Sequence, residues 1–331
     1  MQAFLAALQA SPNGLVLLDA QGRIEWFNQT AAGHFGLDAQ RDLLQHFVNL
    51  VRDPGFAAYY GVGDFSNEVL MPGRAHTIVR PLRLSVQLHP YGEGRRLLLS
   101  RDVTQLEQAE AMRRDFVANV SHEIRTPLTV LSGFVETLQS LALDENDRQR
   151  YLALMAQQAQ RMQTLVNDLL TLSRLDAEAK PVLERVSMTE ILRQCEREAG
   201  VLVQTLKREI AVTVDVPPDV FVMGSMSELQ SACSNLVANA VRYTPAGGKV
   251  TVTWMNGTFV VQDTGIGIAP EHIPRLTERF YRVDKSRNRE AGDVSGTGLG
   301  LAIVKHVAQR NGAALEIESV VGVGSTFRLR F

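Results

Sequence analysis

Residues 116–128 read Phe-Val-Ala-Asn-Val-Ser-His-Glu-Ile-Arg-Thr-Pro-Leu. They lie in a run where Phe116, Val120, Ile124, Leu128, Leu131, Val135 and Leu138 recur at steps of three or four, the period of one helix face. His122 therefore belongs to a helix. Glu123 follows it at once, and Thr126 lies one turn further along the same face. An imidazole beside a carboxylate keeps one ring nitrogen free to attack while the other is held as a donor. His122 reads as a nucleophile, with Glu123 orienting it and taking its proton.

Outward from this stretch, the helical pattern spans 104–141. A polar turn is expected over 144–147, then a second helix over 148–175 with Tyr151, Leu154, Met155, Met162, Leu165, Val166, Leu169 and Leu172 on one side. Two antiparallel amphipathic helices leave a long apolar stripe. A second copy can cover it as a four-helix bundle, or the chain's own domains can. Residues 177–181 read as a linker. Upstream, Leu15-Val16-Leu17-Leu18, Asp19-Ala20-Gln21-Gly22 and Ile24-Glu25-Trp26-Phe27-Asn28 predict strand, tight turn, strand. Short helices are expected over 31–50 and strands over 77–88 and 95–101. This segment resembles a PAS sensor domain, closed by Asp102-Val103-Thr104. His34 and His46 could ligate haem in principle, but core or surface roles suit them better. No cysteine precedes Cys195, which excludes thiol photochemistry there, and no bound cofactor is expected.

Downstream, helices are expected over 188–206, 225–242 and 299–311. Strands are expected over 209–215, 248–255, 257–262, 314–319 and 325–331, which makes an α/β sandwich. Asn235 and Asn239 lie four apart on one helix face, and amide oxygens suit Mg²⁺ carrying a triphosphate. Asp263 follows a strand and opens Asp-Thr-Gly-Ile-Gly-Ile. Its carboxylate can accept from an adenine amino group, while Gly265 and Gly267 admit close approach. Gly296-Thr297-Gly298-Leu299-Gly300 opens a helix whose free amides can cradle phosphates. Gly322, Gly324 and Thr326 complete the set. A nucleophile and a nucleotide pocket in one chain point to phosphoryl transfer onto His122.

These four clusters resemble the N, G1, G2 and G3 boxes of the GHKL ATP-binding fold, with Glu278-Arg-Phe-Tyr-Arg-Val-Asp, including Phe280, resembling the F box. The 116–128 segment resembles the H box of two-component sensor histidine kinases, and the combined resemblance covers 104–331. It implies a multidomain α+β protein: a PAS-like sensor domain over 1–103, a dimeric antiparallel four-helix bundle with two helices per chain over 104–178, and a GHKL-type ATP-binding domain over 182–331. It also implies ATP and Mg²⁺ (Asn239 the principal ligand, Asn235 supporting it), Arg242 on phosphate and Tyr243 stacked on adenine. Arg279, Arg282 and Lys285 would steer the triphosphate from a mobile lid over 284–297. Partners would be a second copy and a response-regulator receiver domain. Thr126 resembles the polar residue that positions water for dephosphorylating that regulator; closing a local backbone bond beside Pro127 is nearly as good a reading. The runs Leu276–Lys285 and Gly298–His306 look like the phosphate-sensing branch of the family, whose membrane-spanning start is missing here, so a cytoplasmic portion is expected.

Composition agrees. A net charge of -2 gives no general pull toward nucleic acid or anionic membrane. No apolar run reaches the roughly 18–20 residues of a spanning helix, and the N-terminus lacks the basic start of a signal peptide. Cys195 and Cys233 read as buried helical thiols rather than a zinc site or disulfide.

Overall fold

A computed structural model describes residues 2–74, 82–283 and 296–331. The chain divides into two compact units, Met1–Asp115 and Phe116–Phe331. Lys285, most of the expected lid and the start of the strand expected over 77–88 lie outside the described residues.

In the first unit, β1 (Gly14–Leu18), β2 (Ile24–Phe27), β3 (Val69–Pro72), β4 (Arg83–Tyr91) and β5 (Arg95–Asp102) form one antiparallel sheet in the order β2-β1-β5-β4-β3. The β1–β2 turn is set by Asp19, whose carboxylate accepts from the N–H groups of Gln21 and Arg23. Helices α1 (Gln2–Gln9), α2 (Gln29–Phe35), α3 (Phe47–Val51) and α4 (Pro54–Val62) complete the unit. Asn28 caps α2 through Ala31 N–H at 2.9 Å and accepts from Leu15 N–H at the same distance, which ties helix to strand. Phe35, Phe47 and Phe56 stack edge-on at centroid separations of 5.0 and 5.3 Å, over Val16, Leu18, Leu84 and Leu98. His34 is a core histidine, its Nδ1 2.9 Å from Ser100 Oγ, and burial pushes its pKa down. His46 lies at the N-terminus of α3, in a backbone bridge with Arg23.

Helix α5 (Thr104–Ser140) begins where Asp102 accepts from Thr104 N–H at 2.9 Å. Helix α6 (Glu145–Ala177) starts earlier than the spacing predicts. Asp144 caps it through Asp147 N–H, so the stretch expected as a turn is the first helical turn. The apolar stripe divides. Phe116, Val120, Ile124, Leu165, Leu169 and Leu172 join the chain's own core, whereas Leu128, Val135 and Val166 stay exposed, as does Leu170, which the spacing does not place on the stripe.

The rest of the second unit is a five-stranded sheet in the order β11-β12-β10-β9-β7, backed by α7 (Met188–Leu206), α8 (Met226–Tyr243) and α9 (Gly300–Arg310). Its strands are β7 (Ala211–Val214), β9 (Lys249–Met255), β10 (Thr258–Asp263), β11 (Ala314–Val320) and β12 (Gly324–Arg330), with β7 parallel to β9 and the other pairs antiparallel. β6 (Glu184–Ser187) and β8 (Phe221–Gly224) make a separate ribbon. Leu229, Cys233, Leu236, Val237, Ala240 and Val241 recur at helical spacing, so α8 buries one face and leaves Asn235 and Asn239 half-buried. Cys195 and Cys233 are buried and free, and burial pushes the Cys195 thiol up to about 12.

Candidate functional site

On α5, His122 is exposed, as the helix phase requires. Neighbouring residues on a helix do not face one another. The Glu123 carboxylate accordingly meets Arg161 of α6 at 3.4 Å rather than the imidazole. Thr126 donates from Oγ1 to the His122 carbonyl at 3.1 Å, the local bond foreseen beside Pro127. Pro127, inside the helix, has no N–H to offer the carbonyl of residue 123.

The nucleotide features gather around the ends of α8, β10 and α9. Asp263 is 6% exposed. Its Oδ1 accepts from Gly265 N–H at 2.8 Å and Ser325 N–H at 3.2 Å, while Oδ2 has no partner among the described residues. Burial pushes its pKa up against those two bonds. Gly267 is indispensable: at φ +66° it sits where a Cβ would lie 2.0 Å from the Val320 carbonyl oxygen. Gly322 donates to the Ile266 carbonyl, Gly324 packs on the Asp263 backbone, and Gly265 approaches the Tyr243 carbonyl, so the G1 and G3 turns and the end of α8 form one wall. Thr326 does not join it. Ser325 pairs with Asp263 and Thr326 with the exposed Gln262, which alternation sends to the opposite face of the sheet. Ser325 is the residue that the sequence reading missed.

Asn235 donates from Nδ2 to the Ser231 carbonyl, and its Oδ1 sits against Gly300, where a Cβ would lie 2.6 Å away. Asn239 has no hydrogen bond among the described residues and is the freer amide. Arg242 is half-buried, and its Nε finds no partner among the described residues. Tyr243 is 42% exposed. Leu299 and Gly300 open α9, Gly296 faces open space, and Thr297 accepts from Leu299 N–H. Gly298, at φ +73°, accepts from Phe280 N–H at 2.9 Å and packs on its backbone, where Phe280 itself takes φ +63°.

The same residues also engage α6. Thr297 Oγ1 donates to Asp168 Oδ2 at 2.6 Å. Burial pushes the Asp168 carboxyl up, against that bond and the positive charge of Arg242. Asp176 accepts from Arg279 at 2.8 and 2.9 Å and lies 3.1 Å from His306 Nε2. Arg279, expected on the triphosphate, is thus held by Asp176 over the Phe116 ring, which also meets Phe280 at 5.8 Å. Arg282 is half-buried. Arg310 donates to the carbonyls of Leu175, Glu178 and Ala179 and to Glu228. Neither Asp168 nor Asp176 carries a local motif that could have announced these contacts.

Among the described residues Arg242 Nε, the Asn239 amide and Asp263 Oδ2 are unpartnered, and with the backbone N–H groups at the N-terminus of α9 they form a set of donors and acceptors that fits adenine, phosphates and a hard cation.

Residues 112–178 match the His Kinase A (phospho-acceptor) domain, and 224–331 match the histidine kinase-, DNA gyrase B-, and HSP90-like ATPase. Residues 2–67 match a PAS domain. The phosphate regulon sensor protein PhoR of Pseudomonas aeruginosa is 45% identical over 100% of this chain and 75% of its own length. The chain belongs to the PhoR-like sensor histidine kinases. PhoR of Haemophilus influenzae is 31% identical, over 96% of this kinase and 73% of its own chain. A crystal structure of histidine kinase ThkA in complex with response regulator TrrA shares the fold at a TM-score of 0.50 and 19% identity, over 96% of this kinase and 94% of that chain. The expected classes hold: PAS, helical phosphoacceptor and ATPase-type domains in a mixed α/β protein. This is an autophosphorylating, ATP-using kinase of two-component signalling, of the phosphate-regulon kind. Among the described residues no helix is long and apolar enough to cross a membrane.

Asp263→Asn separates stability from binding. A carboxyl whose folded pKa exceeds its unfolded value detracts from stability above the unfolded pKa, and the deficit vanishes as pH falls below it. The neutral amide is therefore expected not to lower the melting temperature at pH 7, since its oxygen can keep both N–H bonds. If Oδ2 takes the adenine amino group, as expected from the sequence, the NH₂ of the variant would confront that group, and ATP affinity should fall about tenfold or more. Thermal melts and ATP titration check this; undiminished affinity contradicts the assignment of Oδ2.

Proposed function

We propose that His122 is the phosphoacceptor and that the cluster of groups at the ends of α8, β10 and α9 binds ATP and delivers its γ-phosphoryl group to it. One observation carries the reading: an exposed histidine within the matched phosphoacceptor segment shares its unit with a cluster of unsatisfied groups suited to Mg·ATP. Asp263 would hold adenine, the exposed Tyr243 ring would stack on it, and the α9 amides with Arg242 would take the phosphates. Asn239 fits as the principal Mg²⁺ ligand, with Asn235 behind it; bound there, the cation would neutralise phosphate charge. Glu123, seen on Arg161, takes the imidazole proton only after a change of rotamer. Labelling with γ-phosphate-tagged ATP tests the reading.

The exposed Leu128, Val135, Val166 and Leu170 fit burial against a second copy, giving a homodimer through a four-helix bundle. The phosphoryl group would pass to an aspartate of a PhoB-like receiver domain in phosphate-starvation signalling; the ThkA–TrrA complex is a precedent for kinase and regulator meeting. The described domains would work in the cytoplasm, with any hold on the inner membrane coming from an N-terminal anchor outside these residues.

Dephosphorylation of the regulator is proposed for the same helix face. The Thr126 hydroxyl need only swing from the His122 carbonyl to hold an attacking water. Thr126→Ala is expected to keep autophosphorylation within about twofold and slow regulator dephosphorylation about tenfold or more. If both rates fall together, the hydroxyl serves the helix; if neither does, it positions no water.

A further inference from the structure

The contact between Thr297 and α6 involves groups that the proposed reading gives to ATP. Asp168 is nearly three-quarters of the way along α6. Its Oδ2 takes the Thr297 hydroxyl at 2.6 Å, and its carboxylate lies within the electrostatic influence of Arg242, whose buried Nε has no hydrogen-bond partner among the described residues. A carboxylate offers such donors what a phosphate oxygen offers: negative charge and outward lone pairs. Leu299 N–H, at the mouth of α9, is turned onto the same threonine at 3.3 Å.

We propose that Asp168 is a built-in competitor of the nucleotide's phosphates, so that Mg·ATP binding and engagement of the Thr297 loop by α6 exclude each other. The proposal rests on the assignment of Arg242 and of the amides at the start of α9, in the turn that carries Thr297, to the phosphates. It gives the protein a regulated form of that site: any input that moves α6 relative to α9 alters ATP affinity, and ATP in turn loosens α6 by the same factor. The remaining tethers leave those groups free. Asp176 holds Arg279 and His306, and Arg310 holds the end of α6, so the domain stays docked while one carboxylate is displaced.

The test compares Mg·ATP and adenosine binding to the full chain for the wild type, Asp168→Ala, Asp168→Asn and Asp176→Asn, with Arg242→Ala alongside. Asp168→Ala should tighten Mg·ATP about five- to tenfold, the lower part of the usual coupling range, and leave adenosine unchanged because adenosine carries no phosphate. Asp168→Asn keeps an acceptor for Thr297 but loses the charge, so it should lie between the wild type and the alanine variant, and it guards against a folding defect in the latter. Asp176→Asn should shift Mg·ATP less than Asp168→Ala does. Unchanged Mg·ATP affinity in both Asp168 variants, with Arg242→Ala still weakening it, overturns the competitor and spares the site assignment. Equal gains for ATP and adenosine, or an equal gain in Asp176→Asn, also overturn it, since loosening of the docked domain then accounts for the effect. If Arg242→Ala binds Mg·ATP as the wild type does, the phosphate assignment itself fails and the proposal with it.

Discussion

His122→Ala is expected to carry no stable phosphoryl label after incubation with Mg·ATP. The side chain is exposed on α5 and lies outside both buried cores, so its removal costs the fold little. The nucleotide groups lie on α8, β10 and α9, so His122→Gln should bind ATP as the wild type does. That pairing of results, binding kept and label lost, separates an acceptor from a residue that merely supports the pocket. Label retained in either variant places the acceptor elsewhere. Loss of ATP binding with the label would mean that the α5 face and the pocket are not independent.

Asn239→Ala should lower autophosphorylation by about 100-fold or more while the protein stays folded, the scale seen when one preorganised electrostatic group is removed from a phosphoryl- or acyl-transfer site. The reasoning is local. The amide is half-buried at the edge of the core-facing stripe of α8 and makes no hydrogen bond among the described residues, so nothing in the fold depends on it. Asn235→Ala should behave differently. It breaks the bond to Ser231 and opens space beside Gly300, so part of its effect should appear in the melting temperature. Normal turnover in Asn239→Ala at ordinary Mg²⁺ would show that the cation is held elsewhere.

Much of this was legible in the sequence because it is periodic or punctuated. The apolar spacing of α7 sets its limits at Met188 and Leu206, and that of α5 sets the limits of the long helix within a residue. Turn signals mark β1 and β2. Other elements carry no such signal. The ribbon of β6 and β8 is two four-residue strands that exist only by pairing with one another, Glu184 opposite Gly224, and α4 has little amphipathic pattern. β3 likewise depends on β4. At the site, the box residues were found by order and spacing, but their partners were not. Strand register puts Ser325 rather than Thr326 against Asp263. A contact 38 residues away gives Glu123 to Arg161. Asp168, 129 residues from Thr297, is indistinguishable in sequence from any solvated helix aspartate. Such pairings follow from tertiary packing, which no local pattern encodes.

The most direct test of the central claim is to locate the phosphoryl group on the wild-type protein. After incubation with γ-labelled Mg·ATP, the protein is divided between acid and base and the labelled peptide is sequenced. The account predicts label that is lost in acid, stable in base and confined to His122. Acid-stable label, label on another residue, or release of phosphate to water with none on the protein would contradict it.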